Sequence, residues 1–154
     1  MITYLKGDAT VPQAKGPKLI AHVVNDLGGW GKGFVLAISR RWPEPEQAYR
    51  RWHAERARND FALGAIQVVR VKPDTHVVNM LAQRGIRTGS KGPPIRYEAL
   101  AECLRKLRGV AEENRASVHM PRIGCGLAGG KWEKVEPLIE DALIDTPVFV
   151  YDYE

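Results

Sequence analysis

The sequence predicts an α/β fold with three layers, α/β/α, built on a mixed sheet of about six strands. Three observations predict it. Short strand-type apolar runs alternate with segments of helical period, one pair of runs is joined too tightly for a crossover, and 154 residues make one ordinary domain. No linker, internal repeat or low-complexity stretch divides the chain, so residues 1–154 are expected to form a single domain.

Ile2 to Leu5 reads as the first strand and Leu19 to Val24 as the second. Phe34 to Arg41 and Glu46 to Arg58 follow as helices, separated by Pro43 and Pro45. Ala65 to Val71 and His76 to Leu81 are strands joined by Lys72-Pro73-Asp74-Thr75, a hairpin-type connection that makes the sheet mixed. After Pro93-Pro94, Ile95, Ala99, Cys103, Leu107 and Val110 fall at steps of three and four. They predict a helix that opens on the prolines and ends at Asn114, with Arg105, Lys106 and Arg108 toward its cation-favouring end. Ser117 to Met120 is the fifth strand. Trp132, Val135, Ile139 and Leu143 then share a helical face, with an irregular opening turn at Pro137, and Val148 to Tyr151 is the last strand.

Composition narrows the function. The 23 Lys and Arg against 18 Asp and Glu give a net charge of +5, which permits an anionic partner. The basic residues are scattered, with local pairs at Arg40-Arg41 and Arg50-Arg51, and no face interleaves them with stacking aromatics, so nucleic acid is not the expected partner. Cys103 and Cys125 show no metal-ligand or redox spacing; no metal is expected, and the setting is expected to be reducing and cytoplasmic. Lys6 and Asp8 interrupt the opening apolar run, so neither a secretory leader nor a membrane span is expected, and a monomer is the expected state.

Two glycine-rich loops carry the chemistry. In a sheet of this kind ligands bind beyond the carboxyl ends of the strands. There lie HVVNDLGGWGKG, residues 22–33, and MPRIGCGLAGGKW, residues 120–132. Gly28, Gly29, Gly31 and Gly33 let backbone approach a phosphate, with Lys32 among them, and Gly124, Gly126 and Gly129 repeat a dinucleotide-type spacing. Either loop alone reads equally well as a tight turn. Two in equivalent positions of one small domain indicate a diphosphate ligand. His22 and His119 lie in strands beside these loops, whereas His53 and His76 read as helix-surface and strand-entry residues. A third polar loop, within residues 79–100, presents Gln83 and Arg84 near a strand end and Arg87 and Lys91 farther out. Phosphate-binding lysine, metalloprotease, serine-hydrolase and calcium-loop motifs are absent.

These strings resemble the macrodomain family, which binds ADP-ribose and hydrolyses its conjugates, and the resemblance covers nearly the whole chain. ITYLKGDAT is similar to the family's first strand, which implies that Asp8 accepts the adenine amino group and that Ala9 offers its backbone amide. The resemblance places Asn25 at the distal ribose, with Gly31, Lys32 and Gly33 along the phosphates. It wraps Ile123, Gly124, Cys125, Gly126 and Leu127 around the diphosphate, and Trp30 is expected to cover the ribose side. Strand alternation puts Tyr151 and Tyr153 on one face, and Tyr153 is expected beside adenine.

MPRIGCGL and the short C-terminus resemble the branch of the terminal ADP-ribose protein glycohydrolase. The Ala21-His22 pair and GGWGKG are also similar to yeast-type ADP-ribose 1''-phosphate phosphatases. The sequence departs from the family's catalytic sets: the glycohydrolase lysine and aspartate positions read Gln83 and Ala128, and another branch's aspartate position reads Val35. A lysine nucleophile is therefore not expected. The resemblance then implies a cofactor-independent hydrolase that removes mono-ADP-ribose from glutamate and aspartate of proteins by water attack. Asn25 would orient the ribose, Gln83 would hold water or a hydroxyl, Arg84 would meet the leaving group and His22 would transfer a proton, with Asp26 as the nearest carboxylate base. Phosphatase action and non-catalytic ADP-ribose reading are the alternatives. Cys125 is expected to pack rather than react.

Overall fold

The computed structural model of the chain describes residues 1–86, 93–126 and 128–153. Its elements are β1 (Ile2–Lys6), β2 (Lys18–Asn25), α1 (Phe34–Arg41), α2 (Glu44–Ala54), a 3-10 turn (Arg56–Arg58), β3 (Ile66–Lys72), β4 (Thr75–Gln83), α3 (Tyr97–Asn114), β5 (Ser117–Met120), α4 (Trp132–Ala142) and β6 (Val148–Asp152). One sheet takes the order β1-β6-β5-β2-β4-β3. All neighbours run parallel except β3, which pairs antiparallel with β4. The predicted mixed sheet is thus observed, and its exception is the hairpin over Pro73-Asp74. The hairpin is tied to the start of β2, because the Asp74 carboxylate accepts Lys18 Nζ at 2.9 Å and its carbonyl accepts the Lys18 N–H at 2.8 Å.

Alternation sorts the central strands between two cores. Leu19 and Ala21 of β2, with Val78, Met80 and Ala82 of β4, face α3 and α4 through Leu100, Leu104, Leu107, Val135 and Ile139. Ile20 and Val24, with Val77 and Leu81, face α1 and α2 through Val35, Ile38, Tyr49 and Trp52. Each fully buried Leu or Ile contributes about 1.5–3 kcal/mol. The helices are held to the sheet by these side chains, and every loop at the strands' carboxyl ends inherits its position from them.

Several local expectations are corrected. Helix α3 begins at Tyr97 rather than on the diproline, because residues 94–96 extend along the end of β4: the Arg84 N–H donates to the Pro94 carbonyl and the Arg96 N–H to the Ala82 carbonyl, each at 2.8 Å. Ile95, expected on the helix face, instead forms a bridge with Gln83 and is buried. The last turn of α3 holds no cation; Lys106 and Arg108 sit mid-helix, paired with Glu102 and Glu112. Finally, α2 starts at Glu44 and the following 3-10 turn is a separate element, while Pro137 lies inside an unbroken α4.

Two histidines are buried within the sheet. His119 is fully enclosed, with Nδ1 and Nε2 each 2.8 Å from a hydroxyl, those of Tyr151 and Ser117, and its ring stacks on Phe149. Burial pushes both His119 and His22 down to about 4. The unfolded chain takes up these protons near pH 6.5 and the folded chain only near 4, so stability is present above pH 6.5 and lost as the pH falls through that window. Denaturant titration at pH 7 and pH 5 will show a loss of roughly 2 kcal/mol per histidine, and a His119→Gln variant will lose about half as much. Equal stability at the two pH values would contradict the neutral, buried state of these rings.

Candidate functional site

A crevice opens because two pairings of β2 end at different heights. Register with β5 stops at Ile20, whereas register with β4 continues to Asn25. Beyond Ile20 the chain leaving β2 crosses to the α1 and α2 layer, while the chains leaving β4 and β5 cross to the α3 and α4 layer. Strands that part in this way form the usual ligand crevice of a doubly covered sheet.

Two lobes occupy it, joined at Gly33, Phe34 and Pro121. The smaller, of about 340 Å³, lies between Asp8, Ala9, Tyr151 and Tyr153. Asp8 turns the chain after β1: one carboxylate oxygen accepts the Thr10 N–H at 2.8 Å and the Thr10 hydroxyl at 2.7 Å, and the other lies 3.8 Å from Arg41. Tyr151 is buried, with its hydroxyl accepting the Gln13 N–H at 2.8 Å, whereas Tyr153 stands 78% exposed at the lobe's edge. Both tyrosines line the lobe, as alternation requires.

The larger lobe, of about 1100 Å³, runs between the two glycine loops. Its charged lining consists of Lys32, Arg50 and Arg122, and no carboxylate lines it among the described residues. The α1 N-terminus follows Gly33, whose positive φ of 83° suits glycine, and adds a partial positive charge at the junction of the lobes.

Asn25 organises the first loop. Its Oδ1 accepts the N–H groups of Leu27 and Gly29 at 2.9 and 3.1 Å, its Nδ2 donates to the Gly29 carbonyl at 2.8 Å, and the buried Tyr49 hydroxyl lies 2.6 Å from its backbone oxygen. One Asn25 N–H is left for the lobe. Arg50 braces the same loop by donating to the Gly28 carbonyl at 3.1 Å. Asp26 turns away from the lobe and accepts the Gly85 N–H at 2.8 Å. Gln83 lines the lobe with its Nε2 donating to the Gly85 carbonyl at 2.9 Å, and its Oε1 has no hydrogen-bond donor among the described residues.

The second loop is folded on itself by glycine. The Gly130 N–H donates to the Gly124 carbonyl at 2.7 Å, and a Cβ on Gly130 would lie 2.4 Å from that oxygen. Ile123, Gly124 and Gly126 line the larger lobe, and Leu127 lies outside the described residues, as do Arg87 and Lys91. Cys125 does not line it; burial raises its thiol pKa and its Sγ faces the Ile123 carbonyl, which fits packing. Arg122 is fixed on the rim by both Asp152 oxygens, at 2.6 and 2.9 Å, and by the rings of Tyr4 and Trp132, each 5.1 Å from its guanidinium.

Gly31, Lys32 and Gly33 line the larger lobe, and Ala128 and Val35 line it without a reactive group. Arg84 is exposed and lines neither lobe. Trp30 is largely a core residue, 4% exposed and donating to the Ser39 hydroxyl at 2.8 Å, with only part of its surface on the lobe. Sequence reading missed Phe34, Arg50, Pro121, Arg122 and Tyr49. Arg122 sits inside a motif already singled out, but nothing in the sequence brings α2 and its Arg50 over the first loop.

The Macro domain family pattern matches residues 21–139. The chain belongs to that family. A solved macrodomain protein from Streptomyces coelicolor is 57% identical, covers 100% of both chains and superposes with a TM-score of 0.90. Among curated relatives, the macrodomain is 32% identical over 152 residues to the DNA ADP-ribosyl glycohydrolase of Mycobacterium tuberculosis, covering 96% of this chain and 40% of that protein. It is 33% identical over 161 residues to the mouse chromodomain-helicase-DNA-binding protein 1-like, covering 99% of this chain. The macrodomain spans only 17% of the mouse protein's length. No helix among the described residues is long and apolar enough to cross a membrane.

Gly130→Ala will destabilise the macrodomain by about 1–3 kcal/mol, because backbone rather than a flexible side chain blocks the new methyl. Gly126→Ala, whose Cβ meets nothing within 4 Å, will melt like the parent. Thermal denaturation of the pair checks the loop's packing, and equal melting temperatures would contradict it.

Proposed function

We propose that this macrodomain binds ADP-ribose across both lobes and removes mono-ADP-ribose from glutamate and aspartate side chains of proteins. One observation carries the reading: a largely apolar lobe, with Asp8 and Arg40 as its charged lining, joins a lobe whose charged lining among the described residues is entirely cationic. An adenosine and a diphosphate linked to a second ribose have this same division of chemistry. Asp8 accepts the adenine amino group, Ala9 supplies a backbone amide, and Tyr151 and Tyr153 flank the ring. The diphosphate lies along Gly31, Lys32 and Gly33 and along Ile123, Gly124 and Gly126, near the positive end of α1. The distal ribose reaches Asn25 and Gln83.

The bond broken joins the anomeric carbon to an ester oxygen of the modified side chain. Water attacks that carbon, the bonding pair departs with the carboxylate, and the water's proton passes to solvent. Gln83 Oε1 accepts a hydrogen from this water or from a ribose hydroxyl, and the remaining Asn25 N–H orients the ribose. Arg50, which lines the lobe, takes the departing carboxylate in place of Arg84, which does not. The cations Lys32, Arg50 and Arg122 stabilise charge developing on the leaving carboxylate, while positioning supplies much of the remainder.

Release of ADP-ribose from glutamate-modified protein tests the reading, with ADP-ribosylated DNA and ADP-ribose 1''-phosphate assayed beside it. Release from the protein substrate is expected. Turnover of only the DNA or the phosphate substrate would move the activity to that carrier, and binding without any turnover would make the macrodomain a reader. Asp8→Ala will weaken ADP-ribose binding about tenfold or more, the size of one charge-assisted hydrogen bond. Arg50→Gln will lower turnover by a larger factor than it weakens ADP-ribose binding, the smaller loss reflecting the brace on the first loop; an equal fall in both would contradict the leaving-group role.

A further inference from the structure

Among the described residues, one buried polar side-chain atom in the wall of the larger lobe has no hydrogen-bond partner. His22 lines the lobe and is 2% exposed, and its Nδ1 is buried with no hydrogen bond. Its other nitrogen, Nε2, lies 2.5 Å from Asn79 Oδ1. The two residues face each other in register across β2 and β4.

The proton's position on this ring follows from a chain that starts in α2. A backbone carbonyl can only accept, so the Ala48 carbonyl, 3.0 Å from Gln67 Nε2, turns Gln67 Oε1 toward Asn79. Asn79 Nδ2 then donates to that Oε1 at 3.0 Å and to the Pro45 carbonyl at 3.3 Å, which turns Asn79 Oδ1 toward the histidine. A carboxamide oxygen carries no hydrogen, so Nε2 of His22 does. Burial keeps the ring neutral. Nδ1 is therefore a bare lone pair, and rotation of the ring is restrained by Trp30 and Phe34, whose centroids lie 5.4 and 5.9 Å away. Both aromatic residues line the larger lobe too.

A buried acceptor without a donor is rare in folded proteins and is satisfied in the functional complex when it serves a ligand. A neutral lone pair repels phosphate oxygens and attracts a hydroxyl. We propose that His22 Nδ1 accepts an O–H brought into the larger lobe by ADP-ribose, either a ribose hydroxyl or a water that the ligand orders, and that Asn79 and Gln67 are positioning residues that hold the required tautomer. The inference rests on the ADP-ribose reading above. It assigns His22 as a hydrogen-bond acceptor rather than as the proton-transfer group expected from sequence, and it brings in two residues, on β4 and β3, to which the sequence assigned no role.

Nitrogen-15 spectra of histidine-labelled protein test it, alongside calorimetry with ADP-ribose. In the free protein, His22 is expected to show a protonated Nε2 and an unprotonated, unbonded Nδ1. Saturating ADP-ribose will shift Nδ1 toward hydrogen-bonded values and leave Nε2 unchanged. ADP in parallel identifies the source: a shift with ADP-ribose alone assigns the distal ribose hydroxyl, and a shift with both assigns the adenosine ribose or an ordered water. Asn79→Leu will mix the tautomers and weaken ADP-ribose binding about tenfold, the equivalent of one neutral hydrogen bond. Gln67→Leu, on the edge strand, disturbs the same lock without opening the centre of the sheet and will weaken binding severalfold. A protonated Nδ1 in the free protein, ADP-ribose binding that leaves Nδ1 unmoved, or parental tautomer and affinity in both variants would overturn the proposal. Absence of ADP-ribose binding would instead overturn the ligand assignment, and this proposal with it.

Discussion

The parting of β2 from β5 above Ile20 is the constraint on which the site depends. β2 keeps its pairing with β4 to Asn25 while its other edge runs free, and the chain's crossovers go to opposite layers on the two sides of that gap. The cores fix the strands, the strands fix where the gap opens, and the gap decides which loops face each other. Glycine-rich loops can then line a site with backbone, because their anchors lie in the packed layers below.

Anchoring of the first loop shows how far this coupling extends. Asn25 spends most of its hydrogen-bonding capacity on the loop itself, Tyr49 reaches up from the core of α2 to hold the Asn25 backbone, and Arg50 clasps Gly28 from above. Consecutive residues of one helix therefore serve the floor and the rim of the larger lobe. The second loop is tied to the end of β6 through the ion pair of Arg122 with Asp152, next to Tyr153 at the edge of the smaller lobe. Both lobes are held in fixed relation because lining residues such as Asn25, Arg50 and Arg122 are themselves tied to neighbouring elements, and such preorganisation suits recognition of one long ligand in two halves.

Most of the fold was legible in the sequence because strand runs such as Leu19 to Val24 and the helical period through Cys103 and Leu107 reflect burial directly. The start of α3 was not, since the diproline that commonly opens a helix here leads a short extended bridge, and Ile95 has the right spacing for either role. At the site, motif residues such as Asp8, Gly33 and Ile123 are legible because a chain turn or a close backbone approach dictates their type. Arg50 and the Gln67-Asn79-His22 chain are not, because residues from different elements meet only after the sheet and its layers have formed. Arg84 illustrates the converse: it is adjacent in sequence to a lining residue, Gln83, yet its side chain is exposed outside both lobes.

The central claim is that one ligand spans two chemically distinct lobes. A crystal structure of the ADP-ribose complex tests it most directly. The account predicts adenine between Asp8 and Tyr153, the diphosphate between the two glycine loops, and the distal ribose at Asn25 and Gln83 with Arg50 beside its anomeric carbon. Adenine seated in the larger lobe, or ADP-ribose bound away from the crevice, would contradict it.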